Sequence, residues 1–263
     1  MQSHHHIQRP PRGRSFGDAV RLLPINQAPL QVLRDAEILV DAGTGFLVRW
    51  HLAGGPWPAR GSAAIGALRG FHHGILAPGA AWPMHIHADL QAVTYVVEGA
   101  LEHADSLGNR GVLTAGGVQQ RWLGWGSEHH EWNPSPTERL EFIQLWLETP
   151  RPDQTALEQH NHYAREDRFE RWLQIVRSEC SPSDGLMVAQ DAEVRVIRFD
   201  PSSGRMAYQF EPGHGGYVYM IEGDADINLE RLGTHDAARV VGAGRLHVHA
   251  STPSELLIVD VAL

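Results

Sequence analysis

The sequence contains no lysine, because all 22 of its basic residues are arginine. This absence excludes mechanisms that need a lysine amine, such as Schiff-base chemistry or phosphate binding by a P-loop lysine. The single cysteine, Cys180, excludes disulfides within the chain and metal sites built from cysteine. Reactive chemistry must therefore use other groups, and the 17 histidines and 31 acidic residues are the candidates.

Long apolar runs are also absent, and so is an excess of positive charge. No stretch approaches the roughly 18 consecutive apolar residues of a membrane helix, so we expect no membrane partner. The N-terminal segment lacks the apolar core of a secretory signal, which together with the isolated cysteine favours a cytoplasmic location. The net charge of −9 argues against direct nucleic-acid binding, because phosphate contacts require a basic surface.

The apolar residues occur in short runs that are typical of β-strands. Residues 93–97, 142–147 and 255–261 are rich in β-branched, aromatic and other large apolar side chains, and turn-forming residues lie between such runs. Many short strands at close spacing predict an all-β protein with antiparallel sandwiches or barrels. Helical periodicity is weak, and its best candidate is the polar stretch Pro152–Arg168, which also has the composition of a linker.

A faint internal repeat predicts two domains of one kind. Residues 95–103 read YVVEGALEH and residues 219–227 read YMIEGDADI, so a hydrophobic strand leads into Glu-Gly in both. Glycine allows the positive φ of a hairpin turn, although strand-Glu-Gly-strand also occurs by chance in β proteins. We expect an N-terminal domain over residues 1–149, a linker over 150–170 and a C-terminal domain over 171–263.

Two short motifs carry the most specific chemical signal. Residues i and i+2 of a strand share one face, so His85 and His87 would lie side by side, as would His129 and Glu131. If both faces look into one barrel, three imidazoles and one carboxylate converge, and this donor set suits a divalent transition metal. His-X-His alone is a weak signal, but its pairing with a later His-X-Glu is more specific.

The segment from His85 to Pro136 resembles the pirin family of the cupin superfamily. The resembling pieces are residues 85–87, 93–99, 101–108, 117–119 and 129–135. The resemblance implies two cupin-type (jelly-roll) β-barrels in tandem, the first with a metal and the second without. It identifies the metal ligands as His85, His87, His129 and Glu131. In the second repeat the positions that correspond to the His-X-His pair hold Gln209 and Glu211.

The same resemblance implies an activity, because several pirin-like proteins are similar to quercetin 2,3-dioxygenases. A flavonol-like aromatic substrate would bind the metal, Glu131 would take its hydroxyl proton as general base, and O₂ would open the ring with release of carbon monoxide. This chemistry favours iron, with manganese, nickel or copper as alternatives. Zinc fits the same ligands but does not change its oxidation state.

Other functions stay open at this point. The chain is alternatively a non-enzymatic redox or regulatory protein whose metal changes its affinity for a protein partner, and a cupin isomerase or carbohydrate-binding cupin is a third class. Gln91 stands where the family has a glutamate that would orient a ligand, and the bulky Trp125 would narrow the pocket. Trp82, Trp122 and Trp125 are candidates for an aromatic slot, and core packing is their alternative role.

Overall fold

The regular structure consists almost entirely of β-strands, as the sequence predicts. The computed structural model describes residues 26–52, 64–87, 90–106, 108–123, 127–150 and 157–263, and the side chains in these ranges except those of 83–87 and 127–129. Within these ranges there are 22 strands and two short 3₁₀ helices, Asp35–Glu37 and Arg165–Arg168. No helix in the described part of the chain has the length and hydropathy needed to cross a membrane.

The strands before the second 3₁₀ helix are β1 (Leu30–Leu33), β2 (Leu39–Gly43), β3 (Phe46–Leu52), β4 (Leu68–Leu76), β5 (Ala81–His87), β6 (Leu90–Glu98), β7 (Ala100–Asp105), β8 (Arg110–Thr114), β9 (Gly117–Trp122), β10 (Ser127–Trp132), β11 (Leu140–Glu148) and β12 (Leu157–His162). Those after it are β13 (Leu173–Ser178), β14 (Leu186–Val188), β15 (Ala192–Phe199), β16 (Arg205–Phe210), β17 (His214–Glu222), β18 (Asp224–Ile227), β19 (Glu230–Gly233), β20 (Ala237–Val240), β21 (Gly244–Ala250) and β22 (Ser254–Ala262).

Each half of the molecule is a sandwich of one seven-stranded and one four-stranded sheet. In the N-terminal half the strand orders are β12-β9-β6-β11-β4-β3-β2 and β5-β10-β7-β8. In the C-terminal half they are β1-β20-β17-β22-β15-β13-β14 and β16-β21-β18-β19. The two halves therefore repeat one jelly-roll plan, which confirms the predicted tandem β architecture.

The two halves exchange edge strands. Strand β1 pairs with β20 of the C-terminal half, and β12 pairs with β9 of the N-terminal half. The predicted helix over Pro152–Arg168 is therefore wrong where it is described: residues 157–162 form an edge strand and 165–168 a 3₁₀ helix. The polar composition of this stretch reflects a largely exposed edge strand. Its half-buried Gln159 donates to the buried Gln120 at 3.0 Å. The domain limits 1–149, 150–170 and 171–263 stay a prediction.

The two seven-stranded sheets pack face to face and form one continuous apolar core between the halves. Phe71 and Ile143 contribute to it from the N-terminal half, and Tyr217, Tyr219 and Val259 from the C-terminal half. The rings of Phe71 and Tyr217 lie 5.1 Å apart across this boundary. Because the opposite face of each sheet lines its own sandwich, the central strands are buried on both faces.

The interiors of the two sandwiches differ in polarity. Apolar side chains dominate the C-terminal interior, where Asp260 is a buried exception; among the apolar ones are Phe199, Phe210, Val218, Met220 and Leu246. The N-terminal interior also holds buried polar side chains, namely His72, His103, Gln119, Arg121, Glu131 and Gln144. Buried polar groups cost stability unless they are hydrogen-bonded or paired. This difference therefore indicates that a functional site lies in the N-terminal sandwich.

The repeated Glu-Gly turn has the same conformation in both halves. Gly99 has φ of 78° and Gly223 has φ of 88°, the left-handed region in which a Cβ is strained. A Cβ on Gly99 would also overlap the carbonyl oxygen of Arg139. Glycine is therefore required at this turn for two reasons, its backbone conformation and the close approach of a neighbouring strand.

We expect Gly99→Ala to destabilise the protein by more than Gly213→Ala does. Gly213 has a similar φ of 85°, but a Cβ there would meet no atom of the described chain within 4 Å. The control should therefore lose only the roughly 1–2 kcal/mol of left-handed strain. Urea unfolding of both variants measures the difference, and equal losses would show that the contact with Arg139 has no energetic effect.

Candidate metal centre

Strands β5 and β10 bring the two histidine motifs together. They are antiparallel neighbours, and their register pairs His85 with His129 and His87 with Ser127. Directly paired residues of an antiparallel ladder have Cα atoms about 4.5–5.5 Å apart. The backbone positions of His85, His87 and His129 are thus adjacent, although more than forty residues separate the motifs in the sequence.

A register shift next to this pairing aligns Glu131 with Trp82. On β5 the residues Pro83 and Met84 stand opposite the single residue His130, so the extra residue lies on β5. Proline has no N–H to donate, and within sheets it is found mainly at bulges and edges. Strand β10 pairs with β7 without a register shift from His129 to Trp132, so its backbone is regular between residues 129 and 131.

The carboxylate of Glu131 is buried and tied to a buried arginine. Glu131 is 1% exposed and Arg121 is 3% exposed. The Oε1 atom of Glu131 accepts hydrogen bonds from Arg121 at 2.5 Å and from Nε2 of Gln144 at 3.4 Å. A buried carboxylate needs such compensation, so Arg121 offsets its charge and Gln144 helps to fix its orientation.

A short chain of hydrogen bonds in turn holds Gln144. The indole N–H of Trp146 donates to Oε1 of Gln144 at 3.2 Å. The amide nitrogen of Gln144 donates to the Thr94 hydroxyl at 3.0 Å as well as to Glu131. Because indole can only donate, the amide oxygen must face Trp146 and the amide nitrogen must face Glu131.

Aromatic rings surround this polar core on β3, β4, β5 and β11. The rings of Trp50 and His72 lie 4.9 Å apart, those of His72 and Trp146 lie 5.1 Å apart, and Trp82 stacks on His72 at 5.9 Å. Trp82 also packs in the buried apolar cluster with Leu76 and Phe142, which is the core-packing role. Trp122 is buried beside Arg121 on β9, so it lies on the opposite face of the strand. Trp125 lies outside the described residues.

Gln91 does not take part in this network. Its Oε1 accepts a hydrogen bond from the backbone N–H of Ala189 at 3.1 Å, and Ala189 belongs to the C-terminal half. The side chain lies between the two halves, on the same face of β6 as Val93 and Tyr95. Among the described side chains, the contact of Gln91 is thus with the C-terminal half.

His103 is a buried neutral neighbour of Glu131 on the adjacent strand. The register pairs the two residues across β7 and β10, and the amide of Gln119 donates to Nε2 of His103 at 2.9 Å. Burial lowers the pKa of His103 below its usual value, the charge of Glu158 opposes this change, and the charge of Arg121 adds to it. The neutral ring can accept the Gln119 hydrogen bond, as a structural histidine does.

Arg121 and Gln144 were not predicted from the sequence. Arg121 lies in a strand whose residues are all buried, and an arginine at such a position usually has a buried acidic partner. The sequence alone does not reveal this signal, because it does not show that both faces of β9 are buried. The partner of Arg121 depends on how the two sheets of the sandwich face each other.

Comparison with known proteins agrees with this architecture. Residues 66–147 match the family model described as Pirin, and residues 161–261 match the one described as quercetinase C-terminal cupin domain. A pirin-like protein of Caulobacter vibrioides is 30% identical over 198 residues, which cover 75% of this chain and 84% of that protein. The chain belongs to the pirin family. The resemblance that the sequence motifs indicated is thereby confirmed.

Two further similar proteins align with a larger share of this pirin. A quercetin 2,3-dioxygenase of Escherichia coli K12 is 29% identical over 232 residues, covering 87% of this chain and 97% of that protein. The crystal structure of the bacterial pirin YhhW from Escherichia coli in complex with nickel(II) has a TM-score of 0.80 and 23% sequence identity. The alignment covers 89% of this chain and 99% of YhhW, so the two share the bicupin fold.

We expect Arg121→Met to destabilise the metal-free pirin by about 3–5 kcal/mol, because it leaves the buried Glu131 charge without its guanidinium. Arg110→Met is the matched control. Arg110 pairs with Glu102 at 2.6 Å, but its side chain is 71% exposed, so its loss should cost at most about 1 kcal/mol. Urea unfolding in the presence of a chelator measures both. Similar losses would mean that the buried pair contributes no more than the surface pair.

Proposed function

We propose that this pirin is a metal-dependent quercetin 2,3-dioxygenase, which opens the flavonol ring with O₂ and releases carbon monoxide. Its metal ligands would be His85, His87, His129 and Glu131. The observation that carries the proposal is the direct pairing of His85 with His129 beside the buried carboxylate of Glu131. The activity named for the Escherichia coli relative supports the same reaction.

The donor set fits a divalent transition metal. Imidazole and carboxylate together suit iron, manganese, nickel and copper, and a four-ligand set leaves positions open on a five- or six-coordinate ion. A carboxylate has about four lone-pair sites, so the hydrogen bonds from Arg121 and Gln144 are compatible with metal ligation by Glu131. The nickel complex of the related YhhW supports such a site, and iron is our preferred metal for this chain.

The bound metal would supply Lewis-acid activation and electron exchange with O₂. The chain itself supplies the base. Glu131 would accept the proton of the flavonol 3-hydroxyl, which leaves a negative charge on the substrate oxygen and a neutral carboxyl on Glu131. The positive charge of Arg121, 2.5 Å from Oε1 of Glu131, would then stabilise the anionic substrate.

The surrounding side chains keep this base in a fixed and dry environment. Gln144 is oriented by Trp146 and Thr94, so the Glu131 carboxylate is held before any substrate arrives. The rings of Trp50, His72 and Trp146 pack against one another on the adjoining strands and exclude water from that side. Such preorganisation favours proton transfer over exchange with solvent.

Turnover of quercetin by the metal-loaded protein tests the proposal. Protein loaded separately with Fe²⁺, Mn²⁺, Ni²⁺ or Cu²⁺ is incubated with quercetin, while flavonol absorbance, O₂ uptake and carbon monoxide are followed. We expect one or more metals to support decay with release of carbon monoxide. His129→Ala should abolish the decay and lower the metal content.

The matched control is His249→Ala, because His249 is an exposed residue of β21 in the other half. Its activity and metal content should equal those of the parent protein. Flavonol that stays intact with all four metals would overturn the enzymatic proposal and favour a metal-binding regulator. Equal loss of metal from His129→Ala and His249→Ala would show that the ligand set is wrong.

Glu131→Gln should separate proton transfer from metal binding. The amide keeps the size of the side chain but removes the charge and the base, so kcat should fall by about 10²–10⁴-fold. Metal content should fall less, because three imidazoles remain. The measurement is kcat per bound metal, with Glu98→Gln as control, since Glu98 is an exposed carboxylate on β6. An unchanged kcat per bound metal would exclude Glu131 as the base.

A further inference from the structure

A second group of metal-ligand side chains lies between the two halves. His73 on β4, Glu141 on β11 and His235 in the turn between β19 and β20 each offer one donor atom, and these atoms all lie within 4.8 Å of one another. His73 is 0% exposed and Glu141 is 7% exposed. On β4 the residue before His73, His72, faces the sandwich interior, so His73 faces the C-terminal half.

The spacing of these groups matches tetrahedral coordination. The rings of His73 and His235 have centroids 5.1 Å apart and an interplanar angle of 70°. With zinc–nitrogen bonds of about 2.0–2.1 Å and a tetrahedral angle, two ligand imidazoles have centroids about 5.2 Å apart. Nε2 of His73 lies 3.1 Å from Oε1 of Glu141, close to the roughly 3.3 Å between two ligand atoms on such an ion.

A hydrogen bond orients the His73 ring for this role. Its Nδ1 and the hydroxyl of Tyr219 are 2.5 Å apart, and Tyr219 is a fully buried residue of the C-terminal half. Histidines that bind metals usually donate their other ring N–H to such a partner, which fixes the ring and the tautomer. The Tyr219 contact directs Nε2 of His73 toward Glu141.

His235 has a backbone conformation that is uncommon for residues other than glycine. Its φ is 69°, in the left-handed region, and its N–H donates to the carbonyl oxygen of Met220 at 2.8 Å. Strained residues persist where the surrounding structure over-determines them, and they cluster at ligand-binding sites. The turn thus holds the imidazole of His235 over the boundary toward His73.

The charges around the group are suited to a cation. Burial lowers the pKa of His235 to about 4, and the nearby His73 acts in the same direction. Burial raises the pKa of Glu141, whereas its hydrogen bond with His73 and the charge of Arg139 lower it, and the net change is a lowered pKa. A neutral imidazole and an ionised carboxylate are the forms that bind metals.

Two arginines also face the group, and each is held by an acidic side chain. Arg139 lies 3.0 Å from Oε2 of Glu141 and also pairs with Glu98, while Arg49 donates to Asp35 at 2.8 Å. The atom of Glu141 that faces His73 is Oε1, so Arg139 binds the other oxygen. The arrangement resembles the outer contacts that orient ligating carboxylates.

A groove between the halves gives access to this group. Its volume is about 600 Å³, and Glu141, His235, Thr234 and Arg139 are among its lining residues. A site with three protein ligands and access to solvent binds a water as its fourth ligand, as catalytic zinc sites do.

We propose that His73, Glu141 and His235 bind a second divalent cation of the zinc type, with a water from the groove as fourth ligand. The site shares no ligand with the one proposed on β5 and β10. It joins the two halves, because two of its ligands come from the N-terminal sheet and one from a turn of the C-terminal half. A bound metal should therefore stabilise their docking.

Metal stoichiometry in defined variants tests this proposal. Every sample carries alanine at residues 4–6, so that the terminal histidine run binds no metal. The parent protein, His235→Asn, Glu141→Gln, His129→Ala and His249→Asn are equilibrated with buffered Zn²⁺, and bound zinc is measured per chain. Asparagine tolerates positive φ, so His235→Asn removes the imidazole and keeps the turn.

We expect two equivalents of zinc in the parent and in His249→Asn. His235→Asn and Glu141→Gln should each bind one equivalent, and His129→Ala should keep the interfacial one. Zinc should raise the thermal midpoint of His129→Ala and leave that of a His129→Ala/His235→Asn double variant unchanged. With Co²⁺, the intense visible absorption of a four-coordinate ion should be absent from His235→Asn.

Zinc binding that is unchanged in both His235→Asn and Glu141→Gln would overturn the interfacial site. The same conclusion would follow if the parent protein bound one equivalent of zinc and only His129→Ala removed it. A single equivalent that His235→Asn removes and His129→Ala retains would support the interfacial site and overturn the ligand set of the proposed dioxygenase. Loss of zinc in His249→Asn as large as in His235→Asn would indicate binding by surface histidines and overturn the proposal.

Discussion

Burial of the seven-stranded sheets on both faces is the constraint on which the rest of the structure depends. Successive residues of each central strand enter two different environments, the interior of a sandwich and the boundary between the halves. On β4 these residues are His72 and His73, and on β9 they are Arg121 and Trp122. A register slip of one residue would exchange the two environments, so strand register decides which side chains can react together.

The two sandwiches meet this constraint in different ways. The C-terminal interior is packed with apolar side chains such as Phe210 and Leu246, a choice that favours stability. The N-terminal interior keeps a buried ion pair, Arg121 with Glu131, and satisfies it through Gln144. One copy of the repeated fold thus has a mainly apolar interior, and the other keeps a buried ion pair whose desolvation costs stability.

Local patterns predicted the strands and the repeated turn at Gly99, because alternation and glycine conformation act over a few residues. The two cupins in tandem were implied by the resemblance to the pirin family. The same alternation placed His85 and His129 on strands that prove to be neighbours, while metal binding by them stays a prediction. The edge strand at 157–162 was mistaken for a helix, because a polar edge strand lacks a clear period. Neither Arg121–Glu131 nor His73–His235 was predictable, since both contacts arise only when separate sheets dock.

Strand β11 connects the two candidate metal sites. Glu141 faces the C-terminal half and contacts His73, while Gln144, three residues later, faces the sandwich interior and contacts Glu131. Both belong to one nine-residue strand that is paired on both sides, with β4 and β6. The strand thus carries a proposed ligand of the interfacial site and the amide that donates to Oε1 of the proposed base. The register of β11 with its two neighbours therefore fixes the positions of both groups.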